Sequence, residues 1–176
     1  MSIWVIVLLL GVVAMVVGPV MLLQPSPQDR RQAELRARAR RLGLIVCLET
    51  LPVQATDADG PERLPVYRLP VQLPRGSGQS RPWQLLRAAY RHEMHFLGDW
   101  RWQGPGRPGK EVLEVLEAFL PELPRSVLAV GIDNRGCYLA WTEEGGVNLL
   151  EQLTELLSAI KQESQSARPV RESGLD

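Results

Sequence analysis

The stretch VLAVGIDNRGCYLAWT, residues 127–142, decides the fold class. Val127 to Ile132 and Cys137 to Thr142 are apolar runs of the residue types that favour strands. Between them lies Asp133-Asn134-Arg135-Gly136, whose residues favour a tight hairpin turn. The stretch therefore predicts two strands that pair in an antiparallel sheet.

Amphipathic helices are predicted on both sides of this hairpin. From Lys110 to Leu120 the apolar side chains recur at helical spacing, and Pro121 and Pro124 end the pattern. A second helix is predicted from about Val147 to Gln162, with an apolar stripe made of Leu149, Leu150, Leu153, Leu156, Leu157 and Ile160. Together these patterns predict an α+β domain with two amphipathic helices packed on one face of a mainly antiparallel sheet.

Further strands are predicted upstream of the helices. Residues 44–51 are apolar and β-branched enough for a strand. Residues 65–73 alternate with period two, and their prolines predict an edge strand. Residues 83–97 fit either a strand or a helix, and we favour a strand through about Ala88. Loops are expected between these segments, at residues 52–64 and 75–82.

The N-terminus has an uncharged apolar run at residues 3–23. As a helix, this run is long enough to cross the hydrocarbon core of a bilayer. A cleaved secretory signal would have a basic start, a shorter apolar core and a small-residue cleavage site, and the run has none of these. We therefore expect residues 1–24 to be a single transmembrane anchor that is not cleaved.

A basic juxtamembrane helix is predicted for residues 25–43. Ser26 fits the N-cap, Pro27 the first helical position, and Gly43 the position after the last turn. Six arginines follow the anchor and no Lys or Arg precedes it; they are Arg30, Arg31, Arg36, Arg38, Arg40 and Arg41. Loops rich in Lys and Arg stay on the cytoplasmic side of a membrane. The N-terminus is therefore expected outside and the domain in the cytoplasm.

These arginines have three candidate roles. They could contact anionic lipid headgroups, only enforce topology, or bind RNA. No aromatic residues alternate with them, which disfavours nucleic acid. The expected partners are the lipid bilayer with its anionic headgroups and other membrane proteins. The net charge is zero, but residues 1–108 have 14 basic and 8 acidic side chains, against 6 and 12 in residues 109–176.

The N-terminal segment resembles a known family. An apolar helix that runs into Leu23-Gln24-Pro25-Ser26-Pro27-Gln28-Asp29-Arg30-Arg31 is similar to the start of the YajC-type accessory subunit of the bacterial preprotein translocase. The resemblance covers about residues 3–42. It lapses at residues 44–50, where that family has a glycine-rich turn segment. The layout of the whole chain resembles uncharacterised single-pass anchored proteins of proteobacteria, and this resemblance implies no known active site.

The segment Gly104-Pro105-Gly106-Arg107-Pro108-Gly109-Lys110-Glu111 has the spacing of a phosphate-binding loop. Such loops bind phosphate through backbone N–H groups, and Pro105 and Pro108 remove two of them. Glu111 stands where Ser or Thr would bind magnesium, and its charge would repel phosphate. The segment is therefore predicted to be a connector that starts a helix, and no cofactor is expected.

His92, Met94 and His95 are candidate metal ligands. His92 and His95 share a face of a helix, whereas His92 and Met94 share a face of a strand. No third or fourth ligand can be identified, so the alternative is a solvated turn. Cys47 and Cys137 are too few for a disulfide framework, lack zinc spacing, and are expected to be buried thiols.

Aromatic residues concentrate between residues 83 and 102. Trp83, Tyr90, Trp100 and Trp102 form a candidate partner surface, because interfaces favour Trp, Tyr and Arg. The alternative is that they belong to the core.

The sequence offers no catalytic set, since neither histidine neighbours a cysteine or serine in the predicted fold. The favoured function is a non-enzymatic accessory or scaffold protein of a membrane complex. An accessory subunit of the preprotein translocase, and a small metal-binding or nucleotide-using enzyme, are the alternatives. The soluble domain is expected to span residues 44–163, with a disordered tail at residues 164–176.

Overall fold

The computed structural model describes residues 3–22, 26–51, 63–71, 82–88 and 95–166. In the first helix, side chains are described for residues 3–15. Several predictions lie outside these ranges: most of the two loops, Tyr90, His92, Met94 and tail residues 167–176. The chain divides into two compact units, Met1–Glu34 and Leu35–Asp176.

The first unit contains helix α1 and the start of helix α2. Helix α1 spans Ile3–Leu22 and has no charged side chain, and its side chains from residue 3 to residue 15 are exposed. No helix within the described residues combines the length and apolarity needed to cross a membrane.

Helix α2 spans Pro27–Arg41 and begins at the predicted cap. The backbone N–H of Asp29 donates to Ser26 Oγ at 3.1 Å, and the N–H of Ser26 donates to Asp29 Oδ2 at 2.9 Å. This reciprocal capping satisfies two N–H groups that a helix start leaves without partners. The hydrogen bonds from Ser26 also hold the pKa of Asp29 below its ordinary value.

The end of α2 lies in the second unit and confirms the role predicted for Gly43. The N–H of Leu44 donates to the carbonyl of Ala39, and that of Gly43 to the carbonyl of Arg40. Gly43 has a φ of 82°, the left-handed conformation that this type of helix end requires. Leu44 is 2% exposed, so the chain enters the core directly after the turn.

The second unit is built on one seven-stranded antiparallel sheet, which confirms the α+β class. The strands are β1 Ile45–Thr50, β2 Arg63–Leu69, β3 Trp83–Arg87, β4 His95–Leu97, β5 Trp100–Gln103, β6 Val127–Asp133 and β7 Gly136–Trp141. Their order is β1-β2-β7-β6-β3-β5-β4. Strands β6 and β7 are the predicted hairpin, closed by the pair Asp133 and Gly136.

The prediction that residues 65–73 form an edge strand is wrong. Strand β2 lies between β1 and β7, although it contains Pro65. Pairing with β7 runs only from Val66 to Leu69. Pro65 pairs with β1 alone and Pro70 follows the strand, so neither proline interrupts the part that is paired on both sides.

The β4–β5 hairpin was not predicted from the sequence. The favoured strand at Trp83 is confirmed, but residues 95–103 add two short strands around Gly98, which has a φ of 55°. In β5 only Trp100 is buried. A four-residue strand with one buried side chain has too short a pattern for its period to be recognised.

The two predicted amphipathic helices are confirmed. Helix α3 spans Lys110–Phe119 and passes into a 3₁₀ turn at Leu120–Glu122. Helix α4 spans Gly146–Ser166, and all six residues of its predicted stripe are buried. Residues 164–166 are therefore helical rather than part of a disordered tail.

The sheet has two faces with different neighbours. On the helix face, Tyr67, Leu85, Val130 and Leu139 join the apolar stripes of α2, α3 and α4 in one core. The opposite side, called here the far face, has a smaller apolar cluster of Val66, Leu86, Ala129 and Ala140. Two groups of charged side chains, one around Glu143 and one around Arg68, lie beside these two apolar clusters.

Candidate functional site

The six arginines predicted at the membrane surface fall into two groups. Four are exposed along α2: Arg30, Arg31, Arg40 and Arg41. Arg36 and Arg38, which belong to the second unit, form ion pairs there with Glu143 and Glu151, although Arg38 is also exposed. Only the first group therefore has guanidinium groups that form no ion pair with a described residue.

Arg36 binds a buried carboxylate. Its Nε and Nη2 atoms donate to Glu143 Oε1 and Oε2 at 2.6 and 2.7 Å, and Tyr67 Oη donates to Oε1 at 2.7 Å. The side chain of Glu143 is 1% exposed, whereas that of Arg36 is 36% exposed. Two parallel charge-assisted hydrogen bonds are a strong and directional contact. They join the second half of α2 to the loop between β7 and α4.

The surroundings of Glu143 shift the ionisation of its partners. The hydrogen bond to Glu143 raises the pKa of Arg36. Burial, followed by the Glu143 contact, raises the pKa of Tyr67 far above its ordinary range. Tyr67 is therefore a fixed hydrogen-bond donor at any physiological pH.

Glu143 also has an unusual backbone. Its φ of 66° is left-handed, and it is the one non-glycine residue with a positive φ in the described part of the chain. Such a conformation costs about 1–2 kcal/mol. The neighbouring carbonyl of Glu144 accepts a hydrogen bond from Trp141 Nε1 at 2.8 Å, which helps to hold this turn.

Apolar packing supports the same attachment of α2. Leu35 and Ala39, 5% and 0% exposed, belong to the main core. The ion pair of Arg38 with Glu151, at 3.0 Å, is exposed on both sides and contributes little. The helix is therefore attached mainly through Leu35, Ala39 and the Arg36–Glu143 pair.

A second charge cluster lies on the far face around Arg68, which is 3% exposed. Its Nη1 donates to Asp133 Oδ1 at 2.7 Å, and its Nη2 donates to both oxygens of Glu49 at 3.2 and 3.3 Å. Arg135 also pairs with Glu49 and Asp133, and the Arg68 guanidinium lies over the Tyr138 ring at 4.8 Å. Two cations thus meet two carboxylates, so the cluster is electrically neutral.

Cys47 contacts the same cluster. Its Sγ donates to Glu49 Oε1 at 3.2 Å. Burial, and then the contact with Glu49, raises the pKa of the Cys47 thiol, and burial raises that of Cys137 to about 12. Since the thiolate is the reactive form, neither cysteine is activated as a nucleophile.

The predicted aromatic partner surface is largely core. Trp83 and Trp100 are 4% and 2% exposed, which corrects their assignment to a surface. Trp102 is half-buried, stacks edge-on against Trp83 at 5.9 Å and lies under the Arg107 guanidinium at 4.9 Å. Burial in the core therefore accounts for Trp83 and Trp100, which lie on the paired strands β3 and β5, whereas Tyr90 lies outside the described residues.

The glycine–proline segment before α3 is a packed connector. Arg107 Nη1 donates to the carbonyls of Gly104 and Gly106 at 2.8 and 2.6 Å. Gly106 is buried, and a Cβ there would overlap the carbonyl oxygen of Pro82. The glycine serves a close backbone approach, which is a structural reason for the phosphate-loop spacing.

One cavity of about 440 Å³ lies beside the β4–β5 hairpin. It is lined by Arg87, Leu97, Gly98, Asp99, Trp100, Leu120, Pro121, Leu123 and Arg125. Arg87 stacks over Trp100 at 4.6 Å and donates to the Leu123 carbonyl at 2.9 Å. Burial lowers the pKa of Arg87, and Asp99 opposes that effect. Among the described residues that line it, there is no serine, cysteine or histidine that could act as a nucleophile.

No group of three or more His, Cys, Asp or Glu side chains within the described residues could hold a metal ion. His95 lies in β4, beside Arg101 of β5. His92 and Met94 are outside the described residues, so the predicted alternatives for this trio stay predictions.

Local sequence patterns do not show the two charge clusters. Arg68 could have been noticed as a charged residue inside an apolar, period-two strand, because such a residue is rarely buried without a partner. Its partner Glu49 lies on the neighbouring strand β1, whereas Asp133 ends β6, which β7 separates from β2, so only the sheet order brings both close to Arg68. Glu143 gave no signal, because it lies in a polar loop.

The site and fold together define an α+β domain with an arginine-rich helix attached through an ion pair to a buried carboxylate. Comparison of the chain with protein-family models, curated proteins and solved structures found no match.

Proposed function

We propose that the chain is a membrane-anchored, non-enzymatic accessory or scaffold protein. In this proposal α1 crosses the bacterial inner membrane once, with the N-terminus outside. The antiparallel domain lies in the cytoplasm and contacts other components of a membrane complex.

The observation that carries the proposal is α1 itself. It is a helix of 20 residues without a charged side chain, and Ile3, Trp4 and Met15 are 72%, 78% and 81% exposed. Apolar side chains that are exposed from residue 3 to residue 15 are costly in water and favourable in lipid. In the sequence, residues 16–23 continue the apolar run to a length that fits one hydrocarbon core.

The attachment of α2 supports an anchoring role for the basic helix. Because Leu35, Ala39 and Arg36 contact the domain, the second half of α2, from Leu35 onward, is part of the domain. Headgroup contacts made by Arg40 and Arg41 would therefore act on the domain as a rigid body.

The chemistry of the described clusters favours a scaffold over an enzyme. In each of the pairs Arg36–Glu143 and Arg68–Asp133, the positive and negative charges neutralise each other. Both cysteine thiols have raised pKa values. Active sites instead tend to have groups tuned to react near neutral pH. The resemblance of residues 3–42 makes the preprotein translocase one candidate complex, as an alternative to an unrelated one.

Topology reporters and membrane extraction test the proposal. A reporter fused after Asp176 that is active only in the periplasm should be silent, and one that fluoresces only in the cytoplasm should be bright. The full chain should stay in membranes after an alkaline carbonate wash, whereas deletion of residues 1–24 should release it. As a control, moving basic residues to the N-terminal flank should invert the reporters. An active periplasmic reporter on the natural chain, or release by carbonate, would contradict the anchor.

A further inference from the structure

We propose that the side of strand β1 that faces α2 rests on an anionic lipid surface, with Leu48 inserted between headgroups and Arg40 bound to a lipid phosphate. The surface is that of the membrane which α1 crosses, so the contact rests on the proposed function. The contact adds an orientation of the domain on the membrane, which an anchor alone does not impose.

An exposed apolar side chain marks this side of β1. Leu48 is 59% exposed. Val46, two residues earlier, packs against the main core, whereas Cys47 packs against the far-face cluster. Because side chains alternate along a strand, Leu48 points to the same side as Val46, which is the side that α2 covers. Leu48 therefore lies where the last strand of the sheet meets the basic helix.

Arginine side chains adjoin Leu48. A cavity of about 130 Å³ is lined by Leu48, Val46 and Cys47 of β1 and by Arg36 and Arg40 of α2. Arg36 is bound to a buried carboxylate, whereas Arg40 is exposed and forms no ion pair with a described residue. An exposed apolar side chain thus lies beside a cation whose charge the described residues do not balance.

This combination fits a lipid interface. A guanidinium lays its apolar stem along apolar surface and extends its charge to a phosphate. An anionic bilayer supplies the phosphate and, just beneath it, an apolar layer for Leu48. A second copy of the chain on this edge would instead bring Arg40 close to Arg40.

Tethering keeps this surface near the bilayer. Residues 23–26 alone separate α1 from α2, and Arg40 lies in the last turn of α2. A helix rises about 1.5 Å per residue and an extended chain at most about 3.6 Å, so Arg40 stays within roughly 40 Å of the end of α1. At such distances the effective concentration of headgroups is high, and a contact that is weak by itself becomes populated.

The first test follows a fluorophore at residue 48 in the full chain, reconstituted in vesicles. In a Cys47→Ser background, Leu48→Cys is labelled with an environment-sensitive dye, and the buried Cys137 stays unlabelled. In vesicles of phosphatidylcholine mixed with phosphatidylglycerol, the emission should shift to shorter wavelength and a lipid-attached quencher should reduce it. Vesicles of phosphatidylcholine alone should produce neither effect.

Ile45→Cys is the matched control. Ile45 is 53% exposed on the same strand, but it points to the far face. A dye at residue 45 should stay in water on both kinds of vesicle. Equal insertion at residues 45 and 48, or a residue-48 dye that stays in water on anionic vesicles, would overturn the inference. Protection of residue 48 in native membranes but not in lipid vesicles would also overturn it and assign this surface to a protein partner.

Replacement of Arg40 tests the charge. Arg40→Gln should lower the equilibrium constant for insertion of the residue-48 dye about fivefold, whereas Arg40→Lys keeps the charge and should leave it nearly unchanged. Lys110→Gln removes an exposed cation of α3 and should change it less. Insertion that Arg40→Gln leaves unchanged would contradict the phosphate contact.

Failure of the anchor and failure of this contact have different outcomes. Release of the chain by alkaline carbonate contradicts the anchor. A chain that carbonate leaves in the vesicles, with its residue-48 dye in water, contradicts the lipid contact alone.

Discussion

Glu143 lies in a polar loop and has both a buried carboxylate and a left-handed backbone. Burial of the carboxylate and the left-handed backbone are each unfavourable, and the contacts with Arg36 and Tyr67 offset them. A buried carboxylate without hydrogen bonds costs several kcal/mol, so the cation and the phenol are required by its burial. The residue therefore matters for the attachment of α2 more than for chemistry.

Replacement of Glu143 should be strongly destabilising. We expect Glu143→Ala to lower the free energy of unfolding by about 2–4 kcal/mol, because Arg36 and the buried Tyr67 hydroxyl lose their shared partner. Glu144→Ala is the control: its side chain is exposed and the loop uses only its backbone carbonyl, so we expect a change within about 0.5 kcal/mol. Urea unfolding followed by tryptophan fluorescence measures both. A loss of unfolding free energy for Glu143→Ala as small as that for Glu144→Ala would show that the carboxylate of Glu143 is dispensable.

The carboxylate of Glu49 predicts a dependence of stability on pH. Burial raises the pKa of Glu49, but hydrogen bonds from Cys47 and Arg135 and the two arginine charges outweigh it and lower the pKa overall. A carboxyl whose pKa is lower in the folded state stabilises the fold above its unfolded pKa of about 4.3. That contribution is lost as pH falls through the lower folded pKa.

The measurement is urea unfolding between pH 7 and pH 3. Glu49→Gln should cost about 1–3 kcal/mol at pH 7, because Arg68 keeps Asp133 but loses its contacts with Glu49. The variant should also lose less stability than the natural chain as pH falls. Glu117→Gln, an exposed change on α3, should follow the natural chain. If Glu49→Gln loses as much unfolding free energy between pH 7 and pH 3 as the natural chain, Glu49 does not cause the sensitivity to acid.

Helix α2 contacts the domain on one side and presents exposed arginines on the other. Its apolar stripe and Arg36 face the domain, while Arg40 and Arg41 stay exposed near its end. The sequence marked the helix, its cap and its end correctly, because these depend on local residue types. It did not separate the paired arginines from the exposed ones, because their acidic partners lie more than 100 residues away in the chain.

This separation predicts unequal effects on vesicle binding. The fragment of residues 25–176 should bind anionic vesicles at low salt, and salt should release it. Arg40→Gln with Arg41→Gln should weaken binding about thirty-fold, since each exposed arginine contributes about 1 kcal/mol near an anionic surface. Lys110→Gln with Arg125→Gln removes two exposed cations elsewhere and should have a smaller effect. Equal binding to neutral and anionic vesicles would show that the arginines serve topology alone.

At the scale of the whole molecule, the order of the strands brings the distant halves of the chain together. Strand β2 from the basic half pairs with β7 from the acidic half, and this pairing puts Arg68 close to Asp133 and Tyr67 close to Glu143. The charge asymmetry along the sequence is thus partly cancelled within the fold.

The sequence by itself determined the α+β class, the central hairpin, both amphipathic helices and the caps of α2. Each of these depends on residues within a few positions of one another, so hydrophobic period and turn chemistry suffice. Only the tertiary structure decided that β2 is internal, that Trp83 and Trp100 are core, and that Arg36 and Arg68 bind buried or half-buried carboxylates. These depend on which strands become neighbours, and strand order is chosen by burial of the whole sheet against its helices, a long-range property that local patterns do not contain.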